Sequence, residues 1–446
     1  MNGDELKDFC RVLLHDGEDD AESGEACIRD RLHTAAATIS EGTAASSAVA
    51  AVVADLDVLR NEARAEMQSA ARAGEGDPYS WRRLYTDASL LKALSALMGG
   101  EDVAENVVLE NIAVLDHALV VAGAAGDGRY ELIINAISTL QRWCTPPSPP
   151  TTAVEDGSDV SEIQTRNVAL ASSMRSVPCL DPPPSLGRFA REYAYSPFAL
   201  RGYARDWPAL SERPWASASY LRSVAGPGRV VPVEVGHDYR ADDWTQAMIP
   251  WDDFIRRFEA GEALYLAQHD LFFQFPALQQ DIIIPDYVYS APAPPHDFPA
   301  YTPPANAEQL VTNAWFGPGG TVSPAHTDPF FNFFVQVVGR KTLWLAPPAA
   351  TPYMYAYPPP SASGGVDVAH NPAANTTAPS MSNTTRVDVF AARGDEEEGE
   401  FADFWKHAVP LAMHVTLGPG DALLLPPGWW HATRSEETSF SVSMWY

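Results

Sequence analysis

A histidine and an aspartate two residues apart, His326 and Asp328, close the run Asn313-Ala-Trp-Phe-Gly-Pro-Gly-Gly-Thr-Val-Ser-Pro-Ala-His-Thr-Asp. Extended backbone repeats every two residues, so both side chains project from one face at the head of an apolar strand. An imidazole and a carboxylate so placed can hold a metal. A distant second histidine would complete a 2-His-1-carboxylate triad with open positions, the arrangement that suits non-haem Fe(II) oxygenases. With 11 His and 58 Asp plus Glu in 446 residues, roughly one or two such pairs arise by chance alone. The surrounding sequence must therefore carry the argument.

Downstream lies Pro329-Phe-Phe-Asn-Phe-Phe-Val-Gln-Val-Val-Gly-Arg-Lys-Thr-Leu-Trp-Leu, which reads as two β-branched and aromatic strands joined by a tight turn at Val338-Gly339-Arg340. Near the C-terminus, a Gly-Pro-Gly-Asp turn feeds a short apolar strand, Ala422 to Leu425. A Pro-Pro-Gly bend then presents His431 at the start of the last strand, Ser439 to Trp445. His326 and His431 are 105 positions apart, so strand pairing has to bring them together.

These blocks, in this order, resemble the Jumonji-C (JmjC) branch of the cupin-like 2-oxoglutarate oxygenases. Further blocks support the likeness: Val231-Pro-Val-Glu-Val-Gly236, Tyr265-Leu-Ala-Gln-His269, Asp281-Ile-Ile-Ile-Pro-Asp-Tyr287 and Ser439-Phe-Ser-Val-Ser443. Pro197-Phe-Ala-Leu-Arg-Gly202 resembles the family's first strand. The likeness covers about residues 175–446, and reaches weakly into the N-terminal region through Trp81 to Leu94. It implies an all-β double-stranded β-helix, a jelly roll, as catalytic domain. It also implies Fe(II) on His326, Asp328 and His431, with 2-oxoglutarate and O2 as co-substrates.

By the same resemblance, Lys341 pairs with the far carboxylate of 2-oxoglutarate. Tyr265, Asn332 and Ser323 hydrogen-bond that co-substrate, and Gln268 and Trp315 line its pocket. Glu234 and Trp244 match positions that contact a cationic substrate side chain, where a carboxylate beside an indole suits a guanidinium. The expected activity is hydroxylation of a protein, on an arginyl side chain. The alternative is removal of methyl groups from lysine by the same iron chemistry, and a second is a non-catalytic acidic scaffold for a basic partner. Three departures from the pattern limit what the resemblance implies: Phe330-Phe331 after Asp328-Pro329 and an irregular insertion, both bearing on the substrate entrance, and a chain ending at Tyr446 directly after the final strand.

The net charge of −28 repels phosphate backbones, and no Lys/Arg-rich run offers a local exception. Direct nucleic-acid binding is therefore disfavoured, and a basic protein or peptide is the easier partner. No apolar run of membrane-spanning length is present. The N-terminus lacks the basic and apolar regions of a secretory signal. Cys10, Cys27, Cys144 and Cys179 show no paired spacing, which predicts free thiols in a reducing, nuclear or cytoplasmic compartment.

Residues 1–145 read as an α-helical domain. Leu56, Leu59, Ala63, Met67 and Ala70 follow helical spacing, as do Tyr130, Ile133, Ile134, Ile137 and Leu140. Four prolines after Cys144 end the last helix and open a linker over 146–175. The β-rich domain then spans 176–446. It is interrupted by the irregular stretch at about 352–400, which contains Pro358-Pro-Pro-Ser-Ala-Ser-Gly-Gly365 and the acidic run Asp395 to Glu400.

Overall fold

A computed structural model of the chain describes residues 25–41, 46–73, 76–97, 103–144, 168–236, 244–358, 381–391 and 399–446. The chain clusters into two compact units. One is Met1–Ala153 with Ala225–Val231 and Met248–Asp253. The other is Val154–Val224 with Pro232–Ala247 and Phe254–Tyr446.

The first unit is helical: α1 (Glu25–Glu41), α2 (Ser46–Ala73), α3 (Tyr79–Leu97), α4 (Glu105–Ala122) and α5 (Arg129–Gln141). The spaced apolar residues form its core, with Leu56, Leu59, Ala63, Met67, Ile133, Ile137 and Leu140 all buried. Ala70, Tyr130 and Ile134 are half-buried at its margin. Two buried ion pairs brace this unit. Arg129 meets Asp87 at 3.0 Å, and Arg229 meets Asp116 at 2.7 Å. The Val230 N–H also donates to Asp116. Breaking such a pair would leave an uncompensated buried charge, so loss of either partner would be destabilising.

The second unit holds two sheets that together form a double-stranded β-helix. The strands, all in this unit except Val230–Val231 of β3 and Met248–Pro250 of β4, are β1 (Arg175–Ser176), β2 (Phe198–Leu200), β3 (Val230–Val235), β4 (Thr245–Pro250), β5 (Leu264–His269), β6 (Val311–Gly317) and β7 (Val322–Thr327). They continue with β8 (Asn332–Val338), β9 (Lys341–Ala346), β10 (Met413–Leu417), β11 (Ala422–Leu425), β12 (Trp430–Ser435) and β13 (Ser439–Trp445). The smaller sheet runs β1-β10-β9-β12-β7, and the larger runs β2-β11-β8-β13-β6-β5-β3-β4. An apolar layer that includes Phe334, Leu343, Leu345, Val415, Leu423 and Leu425 fills the space between them.

The turn after Val338 differs from the sequence reading in one respect. β8 and β9 lie in different sheets, so the two residues Gly339 and Arg340 form the corner between sheets, not a hairpin within one. Gly339 has φ +67°, and a Cβ there would meet the Thr438 carbonyl oxygen at 1.8 Å, so no other residue fits. This corner puts Lys341 on the sheet opposite Asn332.

Of the expected linker and insertion, 146–167, 359–380 and 392–398 lie outside the described residues, as do Cys10 and the Cys27 side chain. Cys144 is buried and Cys179 exposed, both as free thiols. Among the described residues, no helix is long and apolar enough to cross a membrane.

Candidate metal centre and co-substrate pocket

His326 is near the end of β7 and Asp328 just beyond it, not at the head of the following strand. The apolar strand β8 starts only at Asn332, because Asp328-Pro329 breaks the ladder. His431 likewise opens on β12, the penultimate strand, and not on the last one. The antiparallel ladder sets His431 directly opposite His326, and directly paired residues bring their side chains into contact. The two imidazole centroids are 4.3 Å apart. Asp328 reaches both rings, with Oδ1 3.9 Å from His326 Nε2 and Oδ2 3.5 Å from His431 Nε2. One ligand atom from each residue lies within 4.8 Å of the others.

Each ring is oriented the same way. His326 Nδ1 bonds the Pro324 carbonyl at 2.8 Å, and His431 Nδ1 bonds the Trp429 carbonyl at 3.1 Å. Donating Nδ1–H to a carbonyl fixes the tautomer that leaves Nε2 free as a metal ligand. Burial, reinforced by His431, lowers the His326 pKa and keeps that ring neutral. Burial opposes the charge on Asp328, but hydrogen bonding and attraction from His431 outweigh it and hold the carboxyl ionised. The donor set thus offers one neutral imidazole, one carboxylate and one imidazole paired with that carboxylate, which fits a divalent ion such as Fe(II).

The cavity that the triad opens onto is also lined by Tyr265, Trp315, Ser323, Asn332 and Lys341 among others. Lys341 is 1% exposed. Its Nζ donates to the Tyr265 hydroxyl at 3.3 Å and lies over the Tyr265 and Phe334 rings at 5.6 and 5.7 Å. Among the described residues no carboxylate pairs with it, and burial pushes its pKa down to about 7. The Asn332 Oδ1 is buried without a partner. Trp315 donates Nε1–H to the Ser443 hydroxyl at 2.9 Å, which holds its ring against the pocket. Burial raises the Tyr265 pKa, keeping the phenol as a donor. An unpaired buried ammonium needs an anionic ligand to offset its desolvation. A dicarboxylate such as 2-oxoglutarate supplies the anion.

This arrangement makes a pH prediction. The folded pKa of Lys341, about 7, is below its ordinary 10.5. The unfolded chain therefore binds more protons in that window, and the penalty Lys341 places on the folded state is relieved as pH rises through it. An anion beside the ammonium reverses the shift. Binding of 2-oxoglutarate at pH 8 should then take up close to one proton, and at pH 6 almost none. Calorimetry in buffers of different ionisation enthalpy measures this. Equal uptake at both pH values would contradict the pairing.

Three other expected residues lie apart from the cavity lining. Gln268 is exposed at φ +46°, where the β5–β6 register breaks between Leu266 and His269. Glu234 and Trp244 are half-buried. Glu234 is directly opposite Tyr265 across β3 and β5. Burial raises its pKa, and the indole N–H of Trp244 works against that rise. That N–H approaches the carboxylate without reaching hydrogen-bonding geometry. The sequence reading missed Phe334, Leu343, Leu425 and Thr433, which also line the cavity. Period-two spacing from Asn332, Lys341 and His431 carries the signal for Phe334, Leu343 and Thr433.

A double-stranded β-helix with a His-Asp-His set opening onto a cavity that holds a buried lysine defines the JmjC class of cupin-like proteins, the class of 2-oxoglutarate-dependent oxygenases. The chain belongs to this family, and residues 189–446 match the family described as Cupin-like domain. More specifically, it is similar to lysine-specific demethylase 8 of Danio rerio, 33% identical over 373 residues, covering 82% of this chain and 81% of the relative. It is 38% identical over 284 residues to Jumonji C domain-containing protein 5 of Drosophila melanogaster, covering 60% of this chain and 59% of the relative. It is also 34% identical over 270 residues to lysine-specific demethylase JMJ30 of Arabidopsis thaliana, covering 59% and 53%. The chain thus spans little more than half the length of these last two relatives.

Proposed function

We propose that this protein oxidises a cationic side chain of a basic protein or peptide, using Fe(II), 2-oxoglutarate and O2, and that its preferred reaction is hydroxylation of an arginyl side chain. The observation that carries the choice of side chain is Glu234. It is a half-buried carboxylate with a raised pKa and, among the described residues, no cationic partner. A guanidinium would offset its desolvation by a two-point hydrogen-bonded pair, and would stack on Trp244. A net charge of −28 favours encounter with a basic substrate.

When bound, iron with its two co-substrates supplies the oxidising power to insert one oxygen atom into a C–H bond. The chain's own residues set the geometry. His326, Asp328 and His431 would hold the metal on one side and leave the cavity side open. Lys341 and Tyr265 would fix the far carboxylate of the co-substrate, and Asn332 and Ser323 would bond its oxygens. The apolar layer of Phe334, Leu343 and Leu425 excludes water from beneath.

Removal of methyl groups from lysine is the second reading, and the names of the Danio rerio and Arabidopsis thaliana relatives favour it. None of the three relatives' names mentions arginine. Hydroxylation of an N-methyl group gives a carbinolamine that releases formaldehyde, so the same centre could serve. The two readings separate at Glu234. Replacing it with glutamine should raise the apparent KM for an arginyl peptide by about 10- to 100-fold, the cost of one charged hydrogen-bonded contact. Succinate formation without peptide should be unchanged. Peptide kinetics measure both, and an unaltered KM would remove the guanidinium from Glu234.

A further inference from the structure

The strand that carries His326 lies at the edge of its sheet, with β12 on one side only. Its other side is covered by a short segment, Asn383 to Arg386. The Thr327 N–H donates to the Asn383 carbonyl at 3.1 Å, and the Thr385 N–H donates to the Ala325 carbonyl at 2.8 Å. His326 and Thr384 form the bridge between these bonds. Asn383 adds its side chain, donating Nδ2–H to the Thr327 carbonyl at 3.0 Å. Both backbone polar groups of Thr327, the residue between the two proposed ligands, are therefore held by one asparagine.

The segment is itself anchored on its far side. Tyr357 N–H donates to the Thr384 carbonyl at 3.0 Å, and Arg386 N–H to the Tyr355 carbonyl at 3.2 Å. The Thr385 hydroxyl bonds the Met354 carbonyl. Thr384 and Thr385 are buried, at 4% and 0% exposed, while Asn383 is exposed. The anchoring thus rests on the threonines and the ladder, and the contact with the ligand peptide rests on Asn383. An edge strand lacking this cover would be free to fray at Ala325–Asp328, where the ligands sit.

We infer that Asn383 is a positioning residue for the metal ligands, clamping the Thr327 peptide so that His326 and Asp328 keep their spacing. This rests on the metal-centre reading above. It acts through the backbone between two ligands, as outer partners of metal ligands do through their side chains.

The test is anaerobic titration of the full-length protein with Co(II) alone, following its ligand-field absorption. Asn383→Ala keeps the backbone carbonyl and loses the side-chain amide, which donates to the Thr327 carbonyl and accepts from the Thr384 hydroxyl at 3.3 Å. It should bind Co(II) about five- to tenfold more weakly, the loss of one hydrogen bond near the ligands, with shifted absorption bands. The melting midpoint of the metal-free protein should be unchanged. Arg386→Ala, whose side chain pairs with Glu400 at 3.1 Å, should leave affinity and bands as they are. Asn383→Ala with wild-type affinity and spectrum would overturn the inference. So would a loss of affinity that merely follows a lowered melting midpoint. Wild-type protein that takes up no Co(II) would instead overturn the metal-centre reading itself.

Discussion

Lys341→Met is expected to raise the apparent KM for 2-oxoglutarate by about a hundredfold while making the co-substrate-free protein more stable. The two effects share one cause. Lys341 is 1% exposed, has no carboxylate partner among the described residues, and touches one hydroxyl and two aromatic rings. Burying an ammonium that way is costly, and the lowered pKa, about 7, records the cost. A methionine of similar length removes the penalty and fills the same space, so the melting temperature should rise by the equivalent of about 1 kcal/mol or more. Removing one partner of a buried charge pair costs about 2–5 kcal/mol of binding, which is where the hundredfold comes from. Steady-state kinetics with a thermal melt of the same preparation measure both. A variant that is less stable and binds 2-oxoglutarate normally would show Lys341 to be a structural lysine.

His326→Ala is expected to reduce turnover by at least about a thousandfold, because the two remaining ligands form too poor a set to hold the metal in working geometry. The fold should survive. His326 contributes one ring, held by its own strand's Pro324 carbonyl, and β7 keeps its ladder to β12 through backbone groups. Metal content after dialysis, succinate release and a circular dichroism melt together separate loss of metal from loss of fold. A folded variant with full turnover would exclude the triad.

Much of this centre was legible in the sequence, for reasons that differ by residue. The spacing of His326 and Asp328 suggested a ligand pair but occurs by chance as often, and Lys341 sits just after a glycine turn, so resemblance to the JmjC family was what distinguished the pair from an exposed His and Asp and the lysine from a solvated one. The pairing of His326 with His431 was not legible from spacing, since a ladder 105 positions apart leaves no local trace. The corner at Gly339 read as a hairpin because a two-residue glycine turn has the same local chemistry in either role. Only the sheet order tells the two apart. Asn383 gave no signal at all. It lies in a polar stretch that reads as loop, and its contact with Thr327 follows from the edge position of β7, a property of the assembled sheet.

The central claim is tested most directly by incubating the purified protein with Fe(II), 2-oxoglutarate and ascorbate in air, with matched arginyl and methyl-lysyl basic peptides, and weighing the products. The account predicts a gain of one oxygen atom on arginine with succinate formed in step, and no such products from His326→Ala. Loss of methyl groups with formaldehyde would contradict the arginine assignment and establish the demethylase reading. No succinate under any condition would contradict the oxygenase itself.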